Sequence, residues 1–272
     1  MYSGTTLTKA SGRIFGAHQK IDRLAAKQLK QILPESKHFP TIRDILRFEG
    51  HNGPDAVKRK SPAKDEPWHY FQPNDPNDNA LVEIIESHFK RLVVSLKQND
   101  DVRASFEAAW MAHAVVDGLT PAHHYPYGQK VVELRGGQGL DSRTTIKDKL
   151  LLPGTTSWKF ILNNWKFWGP KGLFMTHAAF ELGIATMIKP LRLSHKQCIG
   201  DDMYIVDSDN LAQWYRDLAR QVASLDLYIR FYKSGWTPKL ANDIKKQLMP
   251  IIVRAVTLSW YGAAVAASER EN

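Results

Sequence analysis

The chain has 272 residues, 43% of them hydrophobic, and a formal net charge of +9. That length and apolar content suit one large domain with a sizeable core, and the basic balance favours acidic partners such as phosphoesters, phospholipid headgroups or nucleic acid. A single cysteine, Cys198, excludes an internal disulfide and a thiolate zinc cluster, which leaves His, Asp and Glu as the metal ligands. Met1 to Phe15 contain no apolar run of the signal-peptide kind, and no segment reads as apolar enough to span a bilayer. The expectation is a cytoplasmic protein, secreted only if a leader has been removed.

The first helix is predicted over Ile14 to Leu33, closed by Pro34, with Ile14, His18, Ile21, Ala25 and Leu29 on one face. A loop-rich stretch from Glu49 to Asn79 is dense in Pro, Gly, Asn and Asp, carries the basic run Lys58-Arg59-Lys60, and contains Asp55 and His69. Helices are expected over Ala80 to Gln98 and Asp101 to Gly118. On the second of these Val102, Phe106, Trp110, His113 and Asp117 share a face, which points an imidazole and a carboxylate inward. Residues 125 to 153 read as irregular. Thr155 to Trp168 reads as a short helix loaded with Trp158, Trp165 and Trp168 on one side and Phe160 and Phe167 on the other, with Lys159 and Lys166 between. Leu173 to Ile188 places Phe174, His177, Glu181, Ile184 and Ile188 together. Two long helices, Asn210 to Lys233 and Pro238 to Ala267, close the chain, the latter capped by Thr237 and kinked at Pro250. No repeat and no strand run emerges, so the fold class is all-α: a single-domain multi-helix bundle over 1–272 with a long inserted loop and helix segment at 124–176.

His113 and Asp117 stand four apart, His177 and Glu181 repeat that spacing, and His123 follows Pro121. Positions i and i+4 lie on one helix face, and imidazole with carboxylate is the donor set that zinc and its neighbours prefer. Taken alone, an inward histidine such as His18 is more often a hydrogen-bonded core residue; His38, His51, His88 and His195 are read that way. The combination of two such pairs with a further histidine reads as a site for more than one metal.

The run His113-x3-Asp117-x5-His123, then His177-x3-Glu181, resembles the metal signature of the zinc-dependent phospholipase C and single-strand-specific nuclease superfamily. Asp55 and, fourteen residues on, Trp68-His69-Tyr70-Phe71 match its upstream part, and His18 matches its early helix histidine. The likeness covers roughly residues 13 to 188. It implies an all-helical bundle and a phosphodiesterase with two or three zinc ions: one held by Asp55, His69, His113 and Asp117, a second by His123, His177 and Glu181, and a third by His18 and the bridging Asp117. It also implies that Asp55, besides ligating, orients or deprotonates the attacking water, which reaches the phosphorus of a phospholipid.

Three departures follow. The pattern completes its third metal with the amino group and carbonyl of an N-terminal residue about a dozen positions before the helix histidine. That position falls near Thr5 here, so a weakened third group is expected. The 53 residues between His123 and His177 exceed the phospholipase spacing; their Trp- and Lys-rich helix reads either as an interfacial element that docks at headgroups or, preferably, as a lid with its aromatics buried. Ala56 and Glu66 do not reproduce a choline cage, so no choline preference carries over, while Glu181 leans toward the phospholipase branch. The alternatives are a nuclease, with Lys58, Arg59, Lys60 and Lys64 tracking the phosphates of single-stranded nucleic acid and Trp68 or Tyr70 stacking on bases, and a non-catalytic metal-stabilised binding protein. The expected partner is a phospholipid or other phosphodiester, with peripheral membrane contact.

Overall fold

A computed structural model describes residues 1–2, 16–55, 69–199 and 205–268. Every regular element among the described residues is helical, as an all-α fold requires. Helix α1 (Ala17–Ile32) buries His18, Ile21, Ala25 and Leu29 on its inner face. It stops at Leu33, which is extended (ψ 124°) because Pro34 excludes the helical conformation from the residue before it. A short helix α2 (Ile42–Ile45), capped by the Thr41 side chain, runs into a 3-10 turn at Leu46–Phe48.

Helices α3 (Ala80–Lys97) and α4 (Asp101–Gly118) form an antiparallel hairpin. Asn99 makes the reversal at φ 54°, a conformation Asn tolerates better than most residues, and the Asp100 side chain accepts the Arg103 N–H to start α4. The packed face of α4 is built of Ala104, Ala108, Ala112, Val115 and Val116. Val102, expected on that face, is 70% exposed, because the first turn of α4 projects beyond its neighbours. At the other end, Gly118 leaves no room for a side chain: a β-carbon there would sit 2.0 Å from the Tyr215 hydroxyl, which donates to the Val115 carbonyl.

Buried between these two helices, His88 Nδ1 lies 2.5 Å from Glu107 Oε2, and Arg103 Nε donates to Glu107 Oε1 at 2.7 Å. His88 is thus the satisfied core histidine expected of it. Burial would raise the Glu107 carboxyl, but its bonds to His88 and Arg103 outweigh that and hold it below the usual value. Glu107→Gln should therefore cost about 1–3 kcal/mol in urea unfolding at pH 7. A depressed carboxyl contributes stability that is present above its unfolded pKa and lost as pH falls through its folded one. The gap between wild type and variant should accordingly close below about pH 4.

Residues 125–153, expected to be irregular, contain α5 (Tyr127–Leu134) and α6 (Ile146–Leu150). Both are too short to show a helical period in sequence. Gly136 and Gly137, at φ 70° and 90°, turn the chain after α5, and a reciprocal Thr145–Asp148 capping box begins α6. Helix α7 (Ser157–Trp168) packs on α5 and on α8 (Leu173–Ile188). Tyr127, Val131, Leu152 and Phe167 form a small core there, so the inserted segment folds against itself beside the main bundle. Trp158 and Trp165 stay 70% and 65% exposed, which corrects the expectation of a lid with buried aromatics. Phe174, expected inward on α8, is 37% exposed.

After a single turn, α9 (His195–Cys198), the closing segment differs from two uninterrupted helices. Asp226, at φ 50°, separates α10 (Leu211–Ala223) from α11 (Leu227–Ser234). The last helix, α12 (Pro238–Ser268), is capped by Thr237 and carries a π-turn at Ile244–Leu248 just ahead of Pro250. Proline has no N–H for the i→i−4 ladder, and widening one turn lets the helix continue past it. Contrary to the sequence reading, α12 is long and apolar enough to cross a bilayer, but 78% of its apolar window is buried. It packs against α1, α3, α4 and α10, and Trp260 Nε1 donates to the Ala108 carbonyl. Burial of that kind marks a core helix.

Candidate metal centre

The centre is assembled from five separate pieces of chain. His113 and Asp117 come from the last turns of α4, and His123 from the 3-10 turn Pro121–His124 that Pro121 initiates immediately after it. The Phe71 N–H donates to the His123 carbonyl at 3.2 Å, tying that turn to the loop that carries His69. His18 comes from the first turn of α1, and His177 and Glu181 from one face of α8. The fifth piece is Met1. The Ala17 N–H, an orphan donor at the start of α1, bonds the Tyr2 carbonyl at 2.8 Å and so anchors the chain end against the helix.

All eight candidate ligands fall in three groups, within each of which the donor atoms lie within 4.8 Å of one another: His18, His113 and Asp117; Asp55, His69 and His113; His123, His177 and Glu181, the first two sharing His113. Asp117 is the hub. Its Oδ1 is 2.5 Å from the Met1 amine, 3.3 Å from His18 Nε2 and 3.6 Å from His123 Nδ1. Its Oδ2 is hydrogen-bonded to His69 Nδ1 and lies 3.3 Å from His113 Nε2. Asp55 Oδ1 is 3.8 Å from His113 Nε2. Glu181 Oε1 is 2.8 Å from His123 Nε2 and 3.1 Å from His177 Nε2, and the His123 and His177 rings are stacked.

Met1 lies beside the group formed by His18, His113 and Asp117. Its amine faces Asp117 and, at 3.6 Å, Glu181, while its carbonyl is 2.8 Å from His18 Nε2. The terminal ligand that the resemblance places near Thr5 lies outside the described residues.

The electrostatics follow from burial and this mixture of charges. Burial would push the Asp117 carboxyl up, but the Met1 ammonium, His123, His113 and His69 outweigh it and hold it well below the usual carboxylate range. Glu181 is held down in the same way, by the Met1 ammonium and His177 against burial. Burial and the Met1 ammonium push His123 down to about 4, favouring the neutral imidazole that ligates metals. His113 moves the other way, to about 10, because Glu49, Asp117 and Asp55 overcome its burial.

Zinc fits the residues present. The donors are nitrogen and oxygen only, with no thiolate. His113 Nε2 and His123 Nδ1 are buried without a hydrogen-bond partner, and both face Asp117. Buried polar atoms are rarely left that way; cations bound on the two sides of Asp117 would satisfy both.

Glu49 was not read from sequence. It sits fully buried behind His113, its Oε1 3.3 Å from Nδ1, so that a carboxylate orients the imidazole and directs Nε2 at Asp117. The only sequence cue, an acidic residue before the φ-positive Gly50, is one that many loops share. Glu49→Gln should weaken zinc affinity about 10- to 100-fold, measured by chelator competition. The remaining neighbours are aromatic, and of these only Tyr70 was named from the sequence. Tyr70 stacks on Tyr127 at 5.4 Å, Tyr127 contacts His177 and Tyr228 packs edge-on to it, forming an aromatic wall.

The exposed side of the centre is formed by Asp55, His177 and Glu181, whose side chains are 13–15% accessible, against 0–2% for His18, His113 and Asp117. Ala56, Lys58, Arg59, Lys60, Lys64, Glu66 and Trp68 lie outside the described residues. Comparison with protein-family models, with curated proteins and with solved structures finds no match to this chain.

Proposed function

We propose that this chain is a zinc-dependent phosphodiesterase of the phospholipase C type, with two or three zinc ions as cofactor. The observation that carries this reading is that two donor groups share His113 while the third reaches Asp117 through His123, whose Nδ1 lies 3.6 Å from Oδ1. Asp55, His69, His113 and Asp117 would hold one ion, His123, His177 and Glu181 a second, and His18 with Asp117 would contribute to a third. Zinc bound there supplies Lewis-acid polarisation of the phosphoryl oxygens and a lowered water pKa. Asp55, as the accessible carboxylate of its group, orients or deprotonates the attacking water. Substrate approaches from the side of Asp55, His177 and Glu181, the least buried donors.

Nuclease chemistry finds less support. Tyr70, the described member of the base-stacking pair, is already stacked on Tyr127. The deciding experiment is parallel incubation with phosphatidylcholine, phosphatidylethanolamine and single-stranded DNA and RNA, with zinc measured on the same sample. The expected result is diacylglycerol release from protein carrying two or three zinc equivalents. Release of nucleotides alone would move the reading to the nuclease, and a fully metallated protein inert on all four would overturn an enzymatic role.

A further inference from the structure

The most conspicuous surface feature outside the centre is the outer face of α7. Trp158, Ile161 and Trp165 fall at i, i+3 and i+7, one stripe of the helix, and are 70%, 57% and 65% exposed. Helix α7 is held from behind: Phe167 is buried in the small core, the Trp168 indole donates to the Leu150 carbonyl, and the Asn164 amide bonds the Leu152 backbone in both directions. The stripe is therefore presented outward by a braced helix. Leu150 and Leu151, 47% and 40% exposed, sit on the segment that these bonds tie to it.

The segment that carries this stripe has charge of one sign, although Glu133 of α5 lines the groove beside Trp165. From Lys149 to Phe180 the chain carries four lysines and no aspartate or glutamate. Lys159 and Lys166 each follow a tryptophan of the stripe by one position, so they flank it on the same side, and Lys171 lies just beyond the helix. Large exposed apolar patches on a protein surface mark a site that something covers. Tryptophan beside lysine is the pairing that suits a bilayer interface, where the indole sits at headgroup depth and the ammonium meets phosphate.

We propose that α7 is a membrane-docking element that seats Trp158, Ile161 and Trp165 in the headgroup region of an anionic phospholipid bilayer, with Lys159, Lys166 and Lys171 on the lipid phosphates. The face is a neighbour of the metal centre. An open groove of about 360 Å³ beside Trp165, Lys166 and Lys171 is lined by Tyr125, which contacts Tyr228, which in turn contacts His177. Docking here therefore brings lipid to the side of the molecule where α8 carries its ligands. It gives the proposed hydrolase its substrate surface but does not depend on hydrolysis.

The test is cosedimentation of the full chain with vesicles of phosphatidylcholine alone and of phosphatidylcholine containing phosphatidylglycerol. Wild type is expected to bind the anionic vesicles, less tightly as salt rises. Lys159→Glu with Lys166→Glu should reduce that binding about 30-fold or more. A triple variant, Trp158→Ser, Ile161→Ser and Trp165→Ser, should abolish it while keeping the wild-type zinc content and thermal midpoint, because none of the three side chains is buried. Wild type that stays in the supernatant with anionic vesicles, a triple variant that still sediments, or lipid-free dimerisation lost in the triple variant would each overturn the docking proposal. Binding is read without turnover, so a centre inert on every phosphodiester overturns the functional reading and leaves this one standing.

Discussion

Asp117→Asn is expected to lower bound zinc by about one equivalent or more and phosphodiester hydrolysis by about a thousandfold or more. The substitution keeps the shape of the side chain but leaves one acceptor oxygen and turns the other into a donor. Both oxygens are in use: Oδ1 faces the Met1 amine, His18 and His123, and Oδ2 faces His69 and His113. Whichever way the amide settles, its NH2 meets nitrogen donors, and the charge that holds the Met1 ammonium in a buried position is lost. Zinc analysis and hydrolysis on one preparation, with a thermal melt to confirm folding, check this. A variant that keeps full zinc content and activity would contradict the hub role.

Metal removal should have the second large effect, on stability. The donor groups come from α1, α4, α8, the turn after α4 and the segments that carry Asp55 and His69, so ions held among them would cross-link elements far apart in sequence. A ligand that binds only the folded state at a thousand times its Kd contributes about 4 kcal/mol per site, and 1 kcal/mol shifts the midpoint of a domain this size by roughly 2–4 °C. Exhaustive chelation should therefore lower the thermal midpoint by at least about 10 °C, with recovery on adding zinc back. An unchanged midpoint after zinc has been shown to leave would mean that hydrogen bonds and ion pairs alone hold the cluster.

The helices that carry ligands were legible because helical periodicity is local. His113 with Asp117 and His177 with Glu181 lie four apart on stretches long enough to show the period, and their spacing fixes which face they share before anything packs. The break at Asp226, the short helices α5 and α6 and the π-turn before Pro250 were not legible, since each spans fewer residues than a period analysis can resolve.

By itself the sequence determined the all-helical class and the grouping of four candidate ligands in pairs, consequences of residue type and short-range geometry, while His18, Asp55 and His69 joined the set through the resemblance. Only the tertiary structure decided what depends on distant chain meeting. It brought the Met1 amine onto Asp117, 116 positions away, and set Glu49 behind His113, 64 positions away. It likewise buried α12 while leaving Trp158 and Trp165 in solvent. A helix records in its sequence which residues share a face; which face is covered is settled by the apolar area that the other helices bring to it.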